Sequence, residues 1–226
     1  MTQRAITRGA AWLLTAWIVM GAGLAPPAAA HAAPPLLALD FDPPAPGTYT
    51  LFHIMAAPDG EVLGLDGRAQ RLARFTRERI TLLGFIYTTC IDPDGCPRAY
   101  RIFDTVHDAV ASVPALRQQV RLVTLSFDPA RDSPATMGRY AGSRARRGPV
   151  PWLFLTTRSA RELLPLLNGF GQDVRYTAGR RELAHVLKVF LIDRAGDVRE
   201  IYSSDFLHPR TILNDIETLA REDRAR

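Results

Sequence analysis

The run Ile80-Thr81-Leu82-Leu83-Gly84-Phe85-Ile86 limits most what this chain can fold into. It is a continuous apolar stretch of strand length, the kind buried on both faces of a sheet. The loop that follows, Tyr87-Thr88-Thr89-Cys90-Ile91-Asp92-Pro93-Asp94-Gly95-Cys96-Pro97, holds both cysteines of the 226 residues. From Arg98 to Ser112 the period changes to that of a helix, with Ile102, Phe103, Val106 and Val110 on one face. A strand covered on both faces needs helices above and below it, so this one segment points to a layered α/β domain.

The rest of the pattern agrees. Val120 to Phe127 reads as a second buried strand, and Ser133-Pro134 opens a helix with a serine cap and a proline at the first position. Trp152 to Leu155 is a short strand. Ser159-Ala160-Arg161-Glu162 is a capping box that starts a helix to about Asn168, with Pro165 as an objection inside it. Tyr49–Met55 and Glu61–Leu65 flank the turn signal Pro58-Asp59-Gly60 and are expected to form an N-terminal hairpin. Val186–Ile192 and Val198–Tyr202 form a late hairpin around Arg194-Ala195-Gly196-Asp197, and a last helix runs from about Pro209 to Ala220. Strands joined through the 98–112 helix would be parallel with a right-handed crossover. Sites in such sheets gather at the carboxyl ends of the strands. Cys90 follows one such end and Asp128 the next. His185 reaches the same edge if the strand after it runs antiparallel.

The N-terminus reads differently. Arg4 and Arg8 precede an uncharged, mostly apolar stretch, Ala10–Leu24, and Ala28-Ala29-Ala30 and Ala30-His31-Ala32 offer small-residue cleavage sites. The stretch falls short of the roughly 20 residues of a spanning helix. Residues 1–32 are therefore expected to be a secretory signal, with an uncleaved inner-membrane anchor as the alternative. Residues 33–48 are a Pro/Ala-rich linker, and 49–222 the folded domain. Export would put the chain in the periplasm, where a cysteine pair can oxidise. The net charge of +5 comes almost wholly from arginine, Lys188 being the only lysine. Without a basic stripe interleaved with aromatics it gives no support to nucleic-acid binding.

A Cys-x5-Cys pair can close a disulfide or hold a soft metal as two thiolates. Cys96, just before Pro97, would sit at a helix N-terminus, where the dipole favours a thiolate. Two thiolates and one imidazole suit Cu(I) or Cu(II), whereas tetrahedral zinc would want a fourth ligand such as Asp92 or Asp94. From these residues alone, disulfide staple, redox pair and metal site all stay open. His53, His107 and His208 read as packed or solvated residues.

Three blocks together resemble the Sco/SenC family. Phe85-Ile86-Tyr87-Thr88-Thr89-Cys90 and Cys96-Pro97 match its Tyr-Thr-x-Cys-Pro-x-x-Cys-Pro block. Asp128, Pro129, Arg131, Asp132, Ser133 and Pro134 match its Asp-Pro-x-Arg-Asp-Thr/Ser-Pro block, and Tyr140 fits the helix after it. His185 stands five residues before Phe190-Leu191-Ile192-Asp193, as in the third block. The resemblance covers about residues 49–220. It implies a thioredoxin-like α/β fold and copper held by Cys90, Cys96 and His185, with Asp128 beside the ligands rather than on the ion. It further implies a metallochaperone or thiol-redox assembly factor for the copper A centre of a respiratory oxidase. Its partners would be copper and a membrane oxidase subunit or another copper or thiol protein. The chain would contact the membrane only through an N-terminal anchor. The alternative on the same fold is a thiol–disulfide oxidoreductase without stable metal, using Cys90 and Cys96 as its redox pair. The chain departs from the pattern in having five residues between the cysteines, Ile91 after the first, and Val186 after the histidine. Asp92 and Asp94, brought in by the longer loop, are expected to raise the thiol pKa values by like-charge repulsion.

Overall fold

In the computed structural model, which describes residues 39, 41–146, 148–176 and 183–225, a six-stranded sheet carries the fold. Its two central strands are β4 (Ile80–Ile86) and β5 (Val120–Ser126), both buried at every position. They run parallel, in register from Ile80↔Val120 to Ile86↔Ser126, and β6 (Trp152–Leu155) continues the parallel set. On the other side β9 (Lys188–Ile192) is antiparallel to β4, with Gly84 opposite Val189. β10 (Asp197–Ser203) returns antiparallel to β9, and the short β1 (Met55–Ala56) closes that edge.

Alternation along β4 separates the two covering layers. Gly84 lies under Phe103 of α2 (Cys96–Ser112). Phe85 points the other way, into a cluster with Phe127, Phe170 and Phe190 at ring-centroid distances of 5.6, 5.4 and 6.2 Å. Phe170 ends α4 (Ala160–Gly169), which buries Leu163, Leu166 and Leu167. α5 (Pro209–Ala225) packs on α2 and β4. Each large apolar side chain so buried contributes about 1.5–3 kcal/mol. Pro165 does not interrupt α4.

The late hairpin forms as expected. Asp193 Oδ1 accepts the N–H groups of Ala195, Gly196 and Asp197, and Gly196 takes the positive φ (+93°) the turn needs. The N-terminal hairpin is built from other strands than the expected ones. β2 (Glu61–Leu63) pairs with β3 (Ala69–Arg71), while the segment before Pro58 joins β10 instead. The reason lies in Asp59. Its carboxylate accepts Ala73 N–H and the Arg71 guanidinium, so the Pro-Asp-Gly turn anchors the start of α1 (Ala73–Thr76) rather than closing a hairpin. A further small hairpin, β7 (Val174–Tyr176) with β8 (Leu183–His185), has no counterpart in the sequence expectation.

Among the described residues no helix is long and apolar enough to cross a membrane. The expected signal, residues 1–32, lies outside the described residues. Residues 42–47, within the Pro/Ala-rich stretch, lie along α5. Gly47 N–H donates to Thr218 Oγ1 (2.9 Å), Asn214 to the Pro44 carbonyl (3.0 Å) and Arg221 to the Pro46 carbonyl (2.7 Å).

Candidate metal and thiol centre

The loop after β4 is anchored before it reaches the first cysteine. Tyr87 is buried, its ring 6.4 Å from that of Phe127, and Phe127 N–H donates to the Ile86 carbonyl (2.7 Å). Thr88 is held by the buried carboxylate of Asp132: its N–H lies 3.1 Å from one oxygen and its hydroxyl 2.5 Å from the other. Ser126, at the end of β5, donates to Asp132 as well (2.5 Å). The chain then turns, with Cys90 N–H on the Tyr87 carbonyl (3.2 Å). Asp92 accepts Asp94 N–H through its side chain and Gly95 N–H through its carbonyl. Gly95 is the N-cap of α2 and offers no side chain to cap it. The Cys90 sulfur takes that place by accepting the Cys96 N–H.

Both cysteines are free, Cys90 half-buried and Cys96 buried. Their side chains are hydrogen-bonded to each other, and this contact splits their acidities. The Cys96 thiol donating to Cys90, against the opposing cost of burial, lowers the Cys90 pKa to about 5 from an ordinary value near 9. The Cys96 N–H, the Tyr87 hydroxyl and the Asp92 N–H add to the lowering. Cys96 is pushed up, first by that same hydrogen bond and then by burial and the Cys90 charge. Two expectations are corrected here. The thiolate favoured at the start of α2 is Cys90, reaching back to the helix, and not Cys96. Asp92 does not raise the Cys90 pKa: it presents its N–H to the sulfur, while its carboxylate is occupied by the turn.

A cavity of about 400 Å³ opens over the sulfurs, walled by Tyr87, Pro97, Tyr100, Arg101 and Tyr140. Tyr140 comes from α3 (Pro134–Ala141), and its ring meets that of Tyr100 edge-on at 5.3 Å. Burial raises the Tyr140 pKa, with the cysteines adding to it, so this phenol stays protonated beside the thiolate.

The other expected site residues fall as follows. Asp128 is buried at the end of β5. Arg131 donates to its Oδ2 (2.6 Å), and its Oδ1 has no partner among the described residues. The carboxylate that reaches the cysteine loop is not Asp128 but Asp132, four residues on in the same motif block. The cap of α3 is Ser133, whose hydroxyl accepts Thr136 N–H. Ser133-Pro134 already satisfies the helix start, which leaves Asp132 free for another task. Because β9 is antiparallel to β4, the backbone of His185 comes to the carboxyl end of β4, where β8 holds it opposite Val174. Its side chain lies outside the described residues. His107 is buried against the Val150 carbonyl (3.0 Å), and His208 Nδ1 accepts Arg210 N–H at the start of α5.

One other group of possible ligands occurs among the described residues: His53, Asp193 and Asp197 have donor atoms within 4.8 Å of one another. Asp193 is taken by its turn on one oxygen and by Arg199 on the other (2.9 Å), so that group serves the fold.

The SCO1/SenC family profile matches residues 59–221. No curated protein matches the chain. Arabidopsis thaliana ScoI, solved with copper bound, is 19% identical with a TM-score of 0.61, over 76% of this chain and 99% of that one. Yeast Sco1, also solved with copper bound, is 17% identical with a TM-score of 0.57, over 76% and 94%. BsSco, a member of the Sco family of cytochrome c oxidase assembly proteins in which a disulfide switch was identified, is 20% identical with a TM-score of 0.61, over 76% and 98%. At these identities the likeness is one of fold, and it is the thioredoxin-like Sco fold.

Proposed function

This chain belongs to the SCO1/SenC family, and from that premise we propose that it is a periplasmic copper-binding assembly factor. Its task would be the copper A centre of a respiratory oxidase, with Cys90, Cys96 and His185 as ligands. Copper bound in the Arabidopsis and yeast relatives, and the oxidase-assembly role of the family to which BsSco belongs, support the reading. The observation that carries it is the thiol pair itself. Cys90 and Cys96 are hydrogen-bonded to each other and open to one cavity at the end of β4, the edge to which antiparallel β9 returns the His185 backbone. Two soft sulfurs and an imidazole suit Cu(I) and Cu(II) alike.

Several groups of this chain would serve a bound ion. The Cys90 thiolate is ready at neutral pH, whereas Cys96 must lose its proton to the solvent or to an incoming partner as metal arrives. Asp128, with its open buried oxygen, is the group we assign beside the ligands. Tyr87 and Tyr140 narrow the access of water. Oxidation of the pair would remove both sulfur ligands, so redox state would gate loading. The N-terminal segment would export the chain and, if uncleaved, tether it to the inner membrane.

Near one equivalent of copper per reduced chain is expected, lost in Cys90→Ser and in His185→Ala. Full copper affinity in both variants would refute the ligand set. A thiol–disulfide oxidoreductase is the second reading, favoured by the acidity split between half-buried Cys90 and buried Cys96, which suits an attacking and a resolving thiol. It needs no histidine. Thiol–disulfide exchange that survives His185→Ala but not Cys90→Ser, without copper binding in the wild type, would select it.

A further inference from the structure

Two carboxylates, Asp215 and Glu200, line one cavity outside the cysteine centre. Asp215 of α5 is 5% exposed and accepts the hydroxyls of Tyr49 and of Tyr202 (2.6 Å). Glu200 of β10 accepts the Ile201 N–H (2.8 Å). Among the described residues neither forms an ion pair. Burial raises both above the usual carboxylate range, and the Asp215 charge raises Glu200 further. Arg199, next along β10, is engaged elsewhere: Asp193 at 2.9 Å, Glu222 at 3.1 Å, and the Leu51 and Phe52 carbonyls at 2.6 and 3.1 Å.

A cavity of about 240 Å³ opens over these carboxylates. Phe41, Tyr49 and Phe52 line it together with Glu200, Asp215 and Thr211. Phe52 is 84% exposed at its rim, and the Thr211 hydroxyl is buried without a partner among the described residues. The two kinds of wall constrain the occupant. The carboxylates repel an anion. A neutral apolar guest would cover buried Asp215 and part-buried Glu200 without supplying a counter-charge, which disfavours it. Aromatic faces carry negative potential and attract a cation whose substituents they can cover. A bare metal ion would gain little from three rings.

We propose that this cavity binds an organic ammonium ion, its charge against Glu200 and Asp215 and its alkyl groups against Phe41, Tyr49 and Phe52. The site is independent of the copper reading, since it shares no residue with the cysteine centre.

The test is calorimetric titration of the full chain with tetramethylammonium and with methylammonium at constant ionic strength. The neutral isostere 3,3-dimethyl-1-butanol is titrated alongside. Saturable binding of at least one ammonium ion is expected, absent for the alcohol. Affinity should weaken tenfold or more in Glu200→Gln and in Phe52→Leu, the latter keeping the position apolar while removing the ring. Preference for tetramethylammonium would mark a quaternary headgroup as the ligand, and preference for methylammonium a primary amine such as a lysine side chain. The proposal is overturned if neither cation saturates, if the alcohol binds as tightly, or if both variants, folded by circular dichroism, bind as the wild type does.

Discussion

Asp132 holds Thr88 at both its N–H and its hydroxyl, and so fixes the start of the cysteine loop to the turn after β5. Two residues 44 apart in sequence, with Ser126 as a third partner, thereby set where Cys90 stands relative to the start of α2. Asp132 is 1% exposed, so its hydrogen bonds are made away from water.

Replacing that carboxylate should cost more than one hydrogen bond. Asp132→Ala leaves the Thr88 N–H and the Ser126 hydroxyl without their acceptor, and an unsatisfied buried donor costs about 1–3 kcal/mol. A loss of about 2–4 kcal/mol is expected in urea unfolding, together with weaker copper uptake. An unchanged midpoint would show that Thr88 does not need this anchor.

The acidity of Cys90 sets a pH dependence. Its folded pKa, about 5, lies below the ordinary thiol value near 9. Alkylation by iodoacetamide should therefore be flat across neutral pH and fall with a midpoint near 5, and Tyr87→Phe should move that midpoint up. The linkage has a definite sign. A depressed pKa stabilises the folded state fully above the unfolded value and loses that stabilisation as pH falls from about 9 through about 5. Cys96 works in the opposite sense. Its raised pKa gives stability that is present below the unfolded value and lost as pH rises beyond it. The reduced protein should gain stability over Cys90→Ser from about pH 5 upward and begin to lose Cys96's share above about 9. Thermal unfolding across that range checks both signs.

Gly84 is needed for a steric reason. A Cβ there would lie 2.9 Å from the Phe103 ring, and Phe103 is itself 2% exposed and cannot swing away. Gly84→Ala should cost about 1–3 kcal/mol by overpacking. Phe103→Leu in the same chain should recover part of the loss, and additive effects of the two changes would refute the contact.

Arg199 anchors the far edge of the sheet. Its guanidinium is buried between Asp193 and Glu222 and ties the Leu51 and Phe52 carbonyls to β10. Arg199→Met would leave two carboxylates without their cation, and a loss of about 3–5 kcal/mol is expected. Chemical denaturation measures it, and faster proteolysis within residues 49–54 should accompany it.

Much of this protein follows from the residue pattern alone. The runs Ile80–Ile86 and Val120–Phe127 match β4 and, to within one residue, β5, because a strand buried on both faces is apolar over most of its length and stands out from the sequence around it. The caps at Ser133 and Ser159, the turn at Gly196 and the motif blocks around Cys90, Asp128 and His185 are equally local, readable from a few consecutive residues. What depended on distant partners was not readable. Glu61–Leu63 pairs with Ala69–Arg71, and the segment before it with β10, because Asp59 was recruited to α1. Asp132 turns out to be an anchor for Thr88 only when β4 and β5 lie side by side. The same holds for the cysteines. Their spacing announced a site, but which sulfur is the thiolate depended on the folded loop, since a thiol's pKa follows its hydrogen bonds and burial and neither exists until the loop closes over the start of α2.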